Sequence, residues 1–265
     1  RDFYRASLMA WMHGSSSGSF VLILALSSAA GFIISFGGFT LTPNDVPVDS
    51  PAFEPVVVPV SFPEPVNRLP RILDLGDLRA PRIQAAAAML FNPSTGEVLW
   101  EKNGFTARPI ASITKVMTAL VHLENQSDLA LDVVISPQDA YRSSTTYLRR
   151  RERVTLEHLL HLALIGSDNV AARAIARTSR FGTNDFVERM NKKATELGLD
   201  ETRFVDPSGL DEGNVSSPFD VARLVVRATS DLRVSKIMRK PDYEFRTSRR
   251  RVRVRNTNRL VRGRY

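Results

Sequence analysis

The sequence contains no cysteine among its 265 residues. That absence excludes disulfide bonds, a thiol nucleophile and cysteine-ligated zinc, and it leaves the redox compartment open. Wholesale disorder is excluded as well, because 43% of the residues are apolar and 24% are charged, as in ordinary globular proteins. The length allows one large domain or two small ones.

Acidic residues are missing from the last twenty positions, which hold nine arginines. The formal net charge of +8 is therefore local, because residues 1–245 carry 27 basic and 28 acidic residues. Arginines that alternate with valine are typical of a strand edge, and nothing there offers bases a stacking surface. We therefore expect no nucleic-acid partner.

Charge is also missing from residues 14–44, and residues 20–41 are dominated by aliphatic side chains, phenylalanine and glycine. Twenty-two such residues in a helix are long enough for a hydrocarbon core of about 30 Å. Basic residues precede the segment and acidic residues follow it, which predicts a cytoplasmic N-terminus. A cleaved signal peptide is the alternative. Residues 1–41 are thus a cytoplasmic stub with a signal or transmembrane segment, and either form predicts export to the periplasm or cell envelope, with an inner-membrane anchor if uncleaved.

Proline is concentrated in residues 43–81, which hold nine of the fifteen. Because proline fixes φ and lacks an N–H, neither a helix nor a sheet interior fits there, and we expect an extended tether over residues 42–82. A globular domain follows over residues 83–265. Its patterns predict strands 85–91 and 97–102, helices 110–124, 155–165, 168–179, 184–197 and 218–229, and a strand within 246–255. This order indicates an α+β domain.

Lys115 is the only charged residue between Arg108 and Glu124, in a stretch that is otherwise apolar on nearly every face. A buried ammonium group is costly unless it is paired or has lost its proton. Ser112 stands three residues earlier, on the same helical face. Burial lowers the pKa of a lysine, and a neutral amine can take the proton of the Ser112 hydroxyl. The pair is a candidate nucleophile and base; a lysine that reaches the surface from a structural helix is the alternative.

A polar triplet, Ser167-Asp168-Asn169, lies at a corner between two apolar helical patterns, the first of which ends at Gly166. All three residue types are favourable helix N-caps, and this is the structural interpretation. A cap explains one polar residue better than three in succession. The functional interpretation directs the Ser167 hydroxyl and the Asn169 amide into a cleft shared with Ser112.

These motifs, with residues 202–210, 214–220 and 255–258, resemble the serine DD-peptidases of the penicillin-binding protein/β-lactamase superfamily, which carry Ser-x-x-Lys, Ser-Asp-Asn and Lys-Thr-Gly. The resemblance runs from about residue 86 to the end. It is strongest to low-molecular-weight D-alanyl-D-alanine peptidases, especially the endopeptidase branch around penicillin-binding protein 7. It implies an α+β fold, with an antiparallel sheet flanked by helices and a helical subdomain.

The resemblance also implies roles for four residues. Ser112 would be the acylated nucleophile, Lys115 its general base, Ser167 a proton relay to the leaving group, and Asn169 a holder of Lys115 and the substrate amide. The implied reaction cleaves a D-Ala–D-amino-acid bond in peptidoglycan peptide stems through an acyl-enzyme that water resolves. β-Lactams would acylate the same serine as covalent inhibitors, and no cofactor or metal is expected.

The family's third motif, Lys-Thr-Gly or Lys-Ser-Gly, normally follows the Asn256-Thr257-Asn258 region closely, and the printed chain stops at Tyr265 without it. In the family that strand binds the substrate carboxylate and supplies a second oxyanion-hole amide. Loss of one such donor costs about 10²–10³ in rate in a known case. We therefore expect a truncated copy of an enzyme, without the later sheet strands and with impaired folding and turnover.

Several alternatives stay open at the level of sequence. One is a D-Ala-D-Ala carboxypeptidase or a β-lactamase, and another is a non-catalytic wall-binding scaffold or an inactive fragment. Glu188 is the candidate for the glutamate that deacylates β-lactamases. It lies in an amphipathic helix, and it follows Asn169 more closely than the spacing of that family requires, so both observations disfavour a β-lactamase. The helical histidines 122, 158 and 161 are expected to be structural, because Lys115 already fills the role of base.

Overall fold

The computed structural model describes residues 83–262, except 94, 126–127, 142 and 144–145, together with three short strands nearer the N-terminus. The strands are β1 (Ser7–Ala10), β2 (Leu22–Ser27), β3 (Ile33–Ile34), β4 (Ala87–Phe91), β5 (Val98–Lys102), β6 (Arg108–Pro109), β7 (Asp132–Val134), β8 (Arg153–Thr155), β9 (Val215–Ser216), β10 (Asp242–Arg246) and β11 (Arg251–Arg255). The helices are α1 (Thr114–Asn125), α2 (Leu156–Ile165), α3 (Asn169–Thr178), α4 (Gly182–Glu196), α5 (Pro218–Ser230) and α6 (Leu232–Met238), with 3₁₀ turns at Ala111–Ile113 and Arg259–Val261. This mixture of helices and mainly antiparallel strands confirms the α+β class.

The largest sheet has the strand order β3-β1-β2-β4-β5. β4 and β5 form the hairpin that the sequence predicts, with Met89 opposite Glu101. Its turn is closed by the Gly96 N–H, which donates to the carbonyl of Asn92. The pairs β6–β9, β7–β8 and β10–β11 are the remaining sheets of the described residues.

The apolar N-terminal segment differs from the expectation where it is described. Leu22–Ser27 is a strand that pairs antiparallel with β4, so these six residues are not the helix expected for a membrane crossing. An apolar run without periodicity fits a buried strand as well as a helix, and β4 offers hydrogen-bond partners on its free side. In the described part of the chain, no helix combines the length and apolar character that a membrane crossing requires. The choice between anchor and cleaved signal stays a prediction, as do the tether and the domain boundaries.

Helix α1 forms the centre of the helical part and packs against α2, α3, α4 and α5. Ten consecutive residues, 114–123, are buried on all faces, as the all-round apolar pattern predicts. Lys115, within this run, is only 1% exposed. The fold therefore holds a titratable amine at its centre.

The ends of α2 and α3 define the corner that carries Ser167. The Thr155 hydroxyl caps α2 by accepting from the His158 N–H, and the Asp168 carboxylate caps α3 by accepting from the Ala171 N–H. Gly166 ends α2 where β11 passes close by: a Cβ on Gly166 would lie 2.6 Å from Val254 Cγ2. Only glycine lets the corner and β11 approach this closely.

The sequence-based assignment is incomplete after residue 230. Helix α6 is not anticipated, and the strand expected within 246–255 is half of a hairpin, β10–β11, with residues 247–250 as its turn. Thr247 forms this turn, because its hydroxyl accepts from the backbone N–H groups of Arg249 and Arg250 at 3.1 Å each. A threonine hydroxyl that replaces backbone partners in this way leaves little trace in hydrophobic periodicity.

Candidate active site

The candidate nucleophile lies in a turn that precedes the buried helix. Ser112 is the middle residue of the 3₁₀ turn Ala111–Ile113, and α1 begins two residues later at Thr114. Ala111 has a φ of 46°, in the left-handed region that alanine rarely occupies. Such local strain is held by surrounding structure and clusters at functional sites.

Lys115 and Ser112 form the pair that the sequence predicts. Lys115 Nζ lies 2.9 Å from Ser112 Oγ, and it donates a second hydrogen bond to the carbonyl oxygen of Ser208 at 2.5 Å. The alternative, a lysine that reaches the surface, is excluded by the 1% exposure of Lys115. The amine is therefore fixed beside the hydroxyl by a partner on a distant loop.

Burial lowers the pKa of Lys115 from 10.5 to about 7. The nearby carboxylates of Asp168 and Asp206 act in the opposite direction, and the guanidinium of Arg173 lowers the pKa further. Desolvation therefore outweighs the two negative charges. Near neutral pH a substantial fraction of the side chain is a neutral amine that can accept a proton.

A loop that the sequence analysis assigns no role holds the lysine in place. In residues 206–211 the carboxylate of Asp206 accepts from the Ser208 N–H at 2.5 Å, the Ser208 hydroxyl at 2.6 Å, the Gly209 N–H at 2.9 Å and the Asp211 N–H at 2.8 Å. The Asn214 side chain donates to the same carboxylate at 2.7 Å. Because these bonds fix the loop, the Ser208 carbonyl is aimed at Lys115. The signal in the sequence is an Asp followed two residues later by Ser and Gly, a pattern typical of a side-chain-stabilised turn.

The same loop also contacts the nucleophile's turn. Gly209 has a φ of 77°, and a Cβ on it would lie 1.8 Å from the carbonyl oxygen of Ala111. One turn along α1, the Thr118 hydroxyl donates to the Pro207 carbonyl at 2.7 Å. The loop therefore contacts the backbone of Ala111 before the serine–lysine pair and the side chain of Thr118 after it.

Two residues of the corner triplet have different places: Asp168 is a buried structural residue and Ser167 lines the cleft. Asp168 is 1% exposed; besides capping α3 it accepts from the Tyr147 N–H at 2.7 Å and the Thr146 hydroxyl at 2.9 Å. Burial raises the pKa of this carboxyl group, against the effect of these hydrogen bonds. Ser167 has a φ of 54° and lines the same cavity as Ser112 and Lys115. The N-cap interpretation is thus correct for Asp168 alone.

Asn169 is the first residue of α3 and is half-buried. Within the described residues, the hydrogen bonds of Lys115 Nζ go to Ser112 and Ser208, so the resemblance-based contact between Asn169 and Lys115 is not present. Asn169 is not among the residues that line the cavity. Its contact with a substrate amide stays a prediction.

The cavity is a cleft that is open to solvent. Besides the serines and the lysine, its walls come from the α1, α2 and α6 side chains and from the segment after β11: Val116, Ala163, Leu164, Met238, Asn256, Thr257 and Asn258. The Asn256 side chain donates to the carbonyls of Met238 and Lys240 at 2.9 and 2.8 Å, and the Thr257 N–H donates to the Ile165 carbonyl at 2.8 Å. One wall is therefore anchored to two helices.

The histidines lie away from this cleft. His161 stacks on Tyr243 with ring centroids 3.7 Å apart, and its Nε2 lies 2.9 Å from Lys240 Nζ. His158 Nδ1 lies 2.9 Å from the Tyr243 hydroxyl. Burial lowers the pKa values of His122 and His161 to about 4, so both are neutral at pH 7. Glu188 is exposed on α4 and does not line the cleft, which removes the residue offered for β-lactamase deacylation.

An α+β domain in which a buried lysine contacts a cleft serine is the arrangement that the resemblance to the penicillin-binding type of serine peptidase predicts, and comparison with known proteins shows the family. Residues 77–265 match the D-alanyl-D-alanine carboxypeptidase family. The chain belongs to this family.

Individual relatives give the extent of the similarity. The D-alanyl-D-alanine endopeptidase of Pseudomonas aeruginosa is 36% identical over 183 residues, covering 68% of this chain and 59% of the relative. That of Escherichia coli is 33% identical over 185 residues, covering 68% and 60%. A solved D-alanyl-D-alanine carboxypeptidase structure from Mycobacterium tuberculosis superposes with a TM-score of 0.66 at 27% identity, over 71% of this chain and 72% of that one. The chain thus spans about three fifths of the length of the curated relatives it matches.

Proposed function

We propose that this protein hydrolyses D-Ala–D-amino-acid bonds in peptidoglycan cross-links, through an acyl-enzyme on Ser112. The observation that carries the proposal is the 2.9 Å contact between Ser112 Oγ and the Nζ of Lys115, a lysine whose pKa burial lowers to about 7. A hydroxyl in contact with a neutral, desolvated amine is an activated nucleophile. The names of the endopeptidase relatives support cross-links as the substrate.

In acylation, the Ser112 hydroxyl proton moves to the neutral amine of Lys115 while Oγ bonds to the scissile carbonyl carbon. The developing oxyanion accepts from the Ser112 N–H, in a turn that leads into the N-terminus of α1, where backbone N–H groups favour negative charge. The C–N bond then breaks, and the leaving amine takes the proton from Lys115 by way of the Ser167 hydroxyl. Asn169 is assigned to the amide of the substrate.

In deacylation, a water molecule attacks the ester carbonyl and gives its proton to Lys115. The ester bond breaks, the proton returns to Ser112 Oγ, and the carboxylic acid product leaves. Each proton taken by the lysine is returned within the same half-reaction. The amine therefore needs a pKa near the working pH, which its burial provides.

The site of action follows from the substrate. Peptidoglycan lies outside the cytoplasm, so we place the protein in the periplasm or cell envelope, exported by the apolar segment within residues 1–41. Retention of that segment as an inner-membrane anchor, with the proline-rich residues 42–82 as a tether to the wall, would require β2 to leave the sheet in which it pairs with β4. β-Lactams are the corresponding covalent inhibitors.

Acylation by a fluorescent penicillin tests the proposal. We expect a covalent label on the wild-type chain and none on Ser112→Ala. Ser230→Ala is the matched control, because its hydroxyl is exposed on α5 and donates to the Val226 carbonyl, away from the cleft. A folded wild-type chain that takes no label, or a label that persists in Ser112→Ala, contradicts the acyl-enzyme and favours a wall-binding scaffold.

Digestion of purified muropeptides separates the two peptidase activities. We expect cross-linked dimers to be converted to monomers, which is endopeptidase action. Release of terminal D-alanine from pentapeptide monomers, with dimers left intact, identifies a carboxypeptidase instead. The same Ser112→Ala variant serves as the inactive control.

A further inference from the structure

The surface beside the cleft is unusually rich in exposed arginine. On β11, Val252 and Val254 are buried while Arg251, Arg253 and Arg255 are exposed. Alternate residues of a strand lie on one face about 7 Å apart, so these three guanidinium groups form a row. Arg246 on β10 stands opposite Arg251, and Arg249 is exposed in the turn.

A second basic segment joins this hairpin. Arg149, Arg150, Arg151 and Arg153 are exposed, although they lie about a hundred residues earlier in the chain. The Ser248 N–H donates to the Arg153 carbonyl at 3.0 Å, and the Arg153 N–H donates back to the Ser248 hydroxyl at 3.0 Å. The two segments thus form one surface, which we call the arginine face.

An ion pair between a buried glutamate and a partly exposed arginine links the two segments. Glu152 is 0% exposed and lies 3.0 Å from Arg250 Nε. The Nη2 atom of the same guanidinium group donates to the Tyr147 carbonyl at 2.5 Å. Glu152 therefore fixes the position of the β10–β11 hairpin through Arg250, and it neutralises little of the charge on the exposed arginines.

Most of the charge on the arginine face is unpaired. Exposed ion pairs link Arg251 to Glu244 and Arg253 to Asp242. The other seven exposed arginines, at 149, 150, 151, 153, 246, 249 and 255, form no ion pair with any residue that the structure describes. Clustered like charges destabilise a fold, so this arrangement favours a counter-charge from beyond the described residues.

We propose that the arginine face binds a linear, phosphate-bearing polymer of the cell envelope and holds the protein on it beside the cleft. The guanidinium fork matches phosphate oxygens in geometry and stays charged at every physiological pH. β11 runs directly into Asn256, which lines the cleft, so a polymer on this face lies next to the peptidase site. This function goes beyond the proposed hydrolysis and does not depend on it.

Two other polyanions fit the described surface less well. Single-stranded nucleic acid needs exposed aromatic rings for its bases, but Tyr243 stacks on His161 and Phe245 is buried. Insertion into a lipid surface needs several exposed apolar side chains next to the basic ones. The exposed Val134 stands opposite Arg153 in the β7–β8 pair, but none of the exposed large hydrophobic residues lies within 146–153 or 242–255. A soluble polymer of regularly spaced phosphates uses the arginines alone.

The test measures binding of the 265-residue chain to linear polyphosphate as a function of salt. The variant Arg246→Gln/Arg249→Gln/Arg255→Gln removes three unpaired charges from the arginine face. The control Lys192→Gln/Arg203→Gln/Lys236→Gln removes three exposed charges elsewhere, also without a described ion pair. At about a factor of five per arginine, we expect the first variant to bind about a hundredfold more weakly and its salt slope to fall by about two.

The control should bind within about threefold of wild type and keep its thermal midpoint, whereas the arginine-face variant should unfold at the wild-type midpoint or above it, because like-charge repulsion is relieved. Equal weakening in both variants means that net charge alone is responsible and overturns the proposal. Tighter binding to a single-stranded oligodeoxynucleotide of equal charge, or to phosphatidylglycerol vesicles at equal phosphate, also overturns it. Those outcomes identify a nucleic acid or a membrane as the partner instead. Because the assay needs no acylation, it stands if the peptidase proposal fails.

Discussion

Replacing Gly209 with alanine should disable the site from outside the catalytic residues. The new Cβ would lie 1.8 Å from the Ala111 carbonyl oxygen and 2.4 Å from its carbon, whereas non-bonded carbon atoms pack at about 3.5–4.0 Å. The loop and the turn that carries Ser112 must therefore separate by more than about 1 Å. A misplacement of that size costs about a hundredfold in rate, so we expect penicillin acylation to slow by about that factor.

The stability change has two parts. Alanine at a φ of 77° costs about 1–2 kcal/mol, and overpacking costs a further 1–3 kcal/mol, roughly. We therefore expect urea unfolding to show a loss of about 2–5 kcal/mol. The fold should survive this loss if its stability is at the upper end of the usual range.

Gly96→Ala is the matched control for Gly209→Ala. Gly96 has almost the same φ, 76°, but no described atom lies within 4 Å of its Cβ position. The Gly96→Ala variant should lose only the backbone contribution to the free energy of unfolding, about 1–2 kcal/mol, and penicillin should acylate it at the wild-type rate. If Gly209→Ala acylates as fast as Gly96→Ala, the loop does not position the nucleophile and the reasoning fails.

Three further changes test the supports of the site. Asp206→Asn places an amide among N–H donors and frees Ser208, so we expect the free energy of unfolding, measured in urea, to fall by about 2–4 kcal/mol. Because the substitution also removes a negative charge near Lys115, we expect NMR titration to show a lower pKa for Lys115. Asp168→Ala removes the α3 cap and leaves the partly buried Tyr147 N–H without its acceptor. We expect a loss of about 2–4 kcal/mol in urea unfolding, and an unchanged midpoint contradicts this. Burial lowers the pKa values of His122 and His161 to about 4, so the unfolded chain takes up protons at these histidines before the folded protein does. Their contribution to the free energy of unfolding is therefore fully present above pH 6.5 and falls by about 3 kcal/mol per histidine as the pH drops from 6.5 to 4. A free energy of unfolding that stays constant over that window refutes the prediction.

The serine–lysine pair is predictable from sequence because it breaks a local rule. One charge inside an apolar helix has few physical explanations, and a hydroxyl three residues away supplies one. The helices and the first hairpin are also predictable, since periodicity and caps such as Ser217 and Gly166 define their limits.

The loop at residues 206–211 could not be assigned a role in the same way. Its contact with Lys115 spans 93 residues, and nothing in local periodicity reports a carbonyl that meets an amine at that separation. The left-handed φ of Ala111 and Ser167 is likewise set by tertiary packing, against the intrinsic preference of both residues. The arginine face was visible as composition, but only the fold joins its two segments.

The pKa of Lys115 is the quantity on which the catalytic account depends. The chain has six lysines, so NMR titration of the side-chain amines, with Lys115→Arg to assign the signal, resolves it in the folded protein. We predict a midpoint near 7, because burial outweighs the carboxylates of Asp168 and Asp206. A midpoint near 10.5 would leave the amine charged at neutral pH, unable to take the serine proton, and would contradict the account.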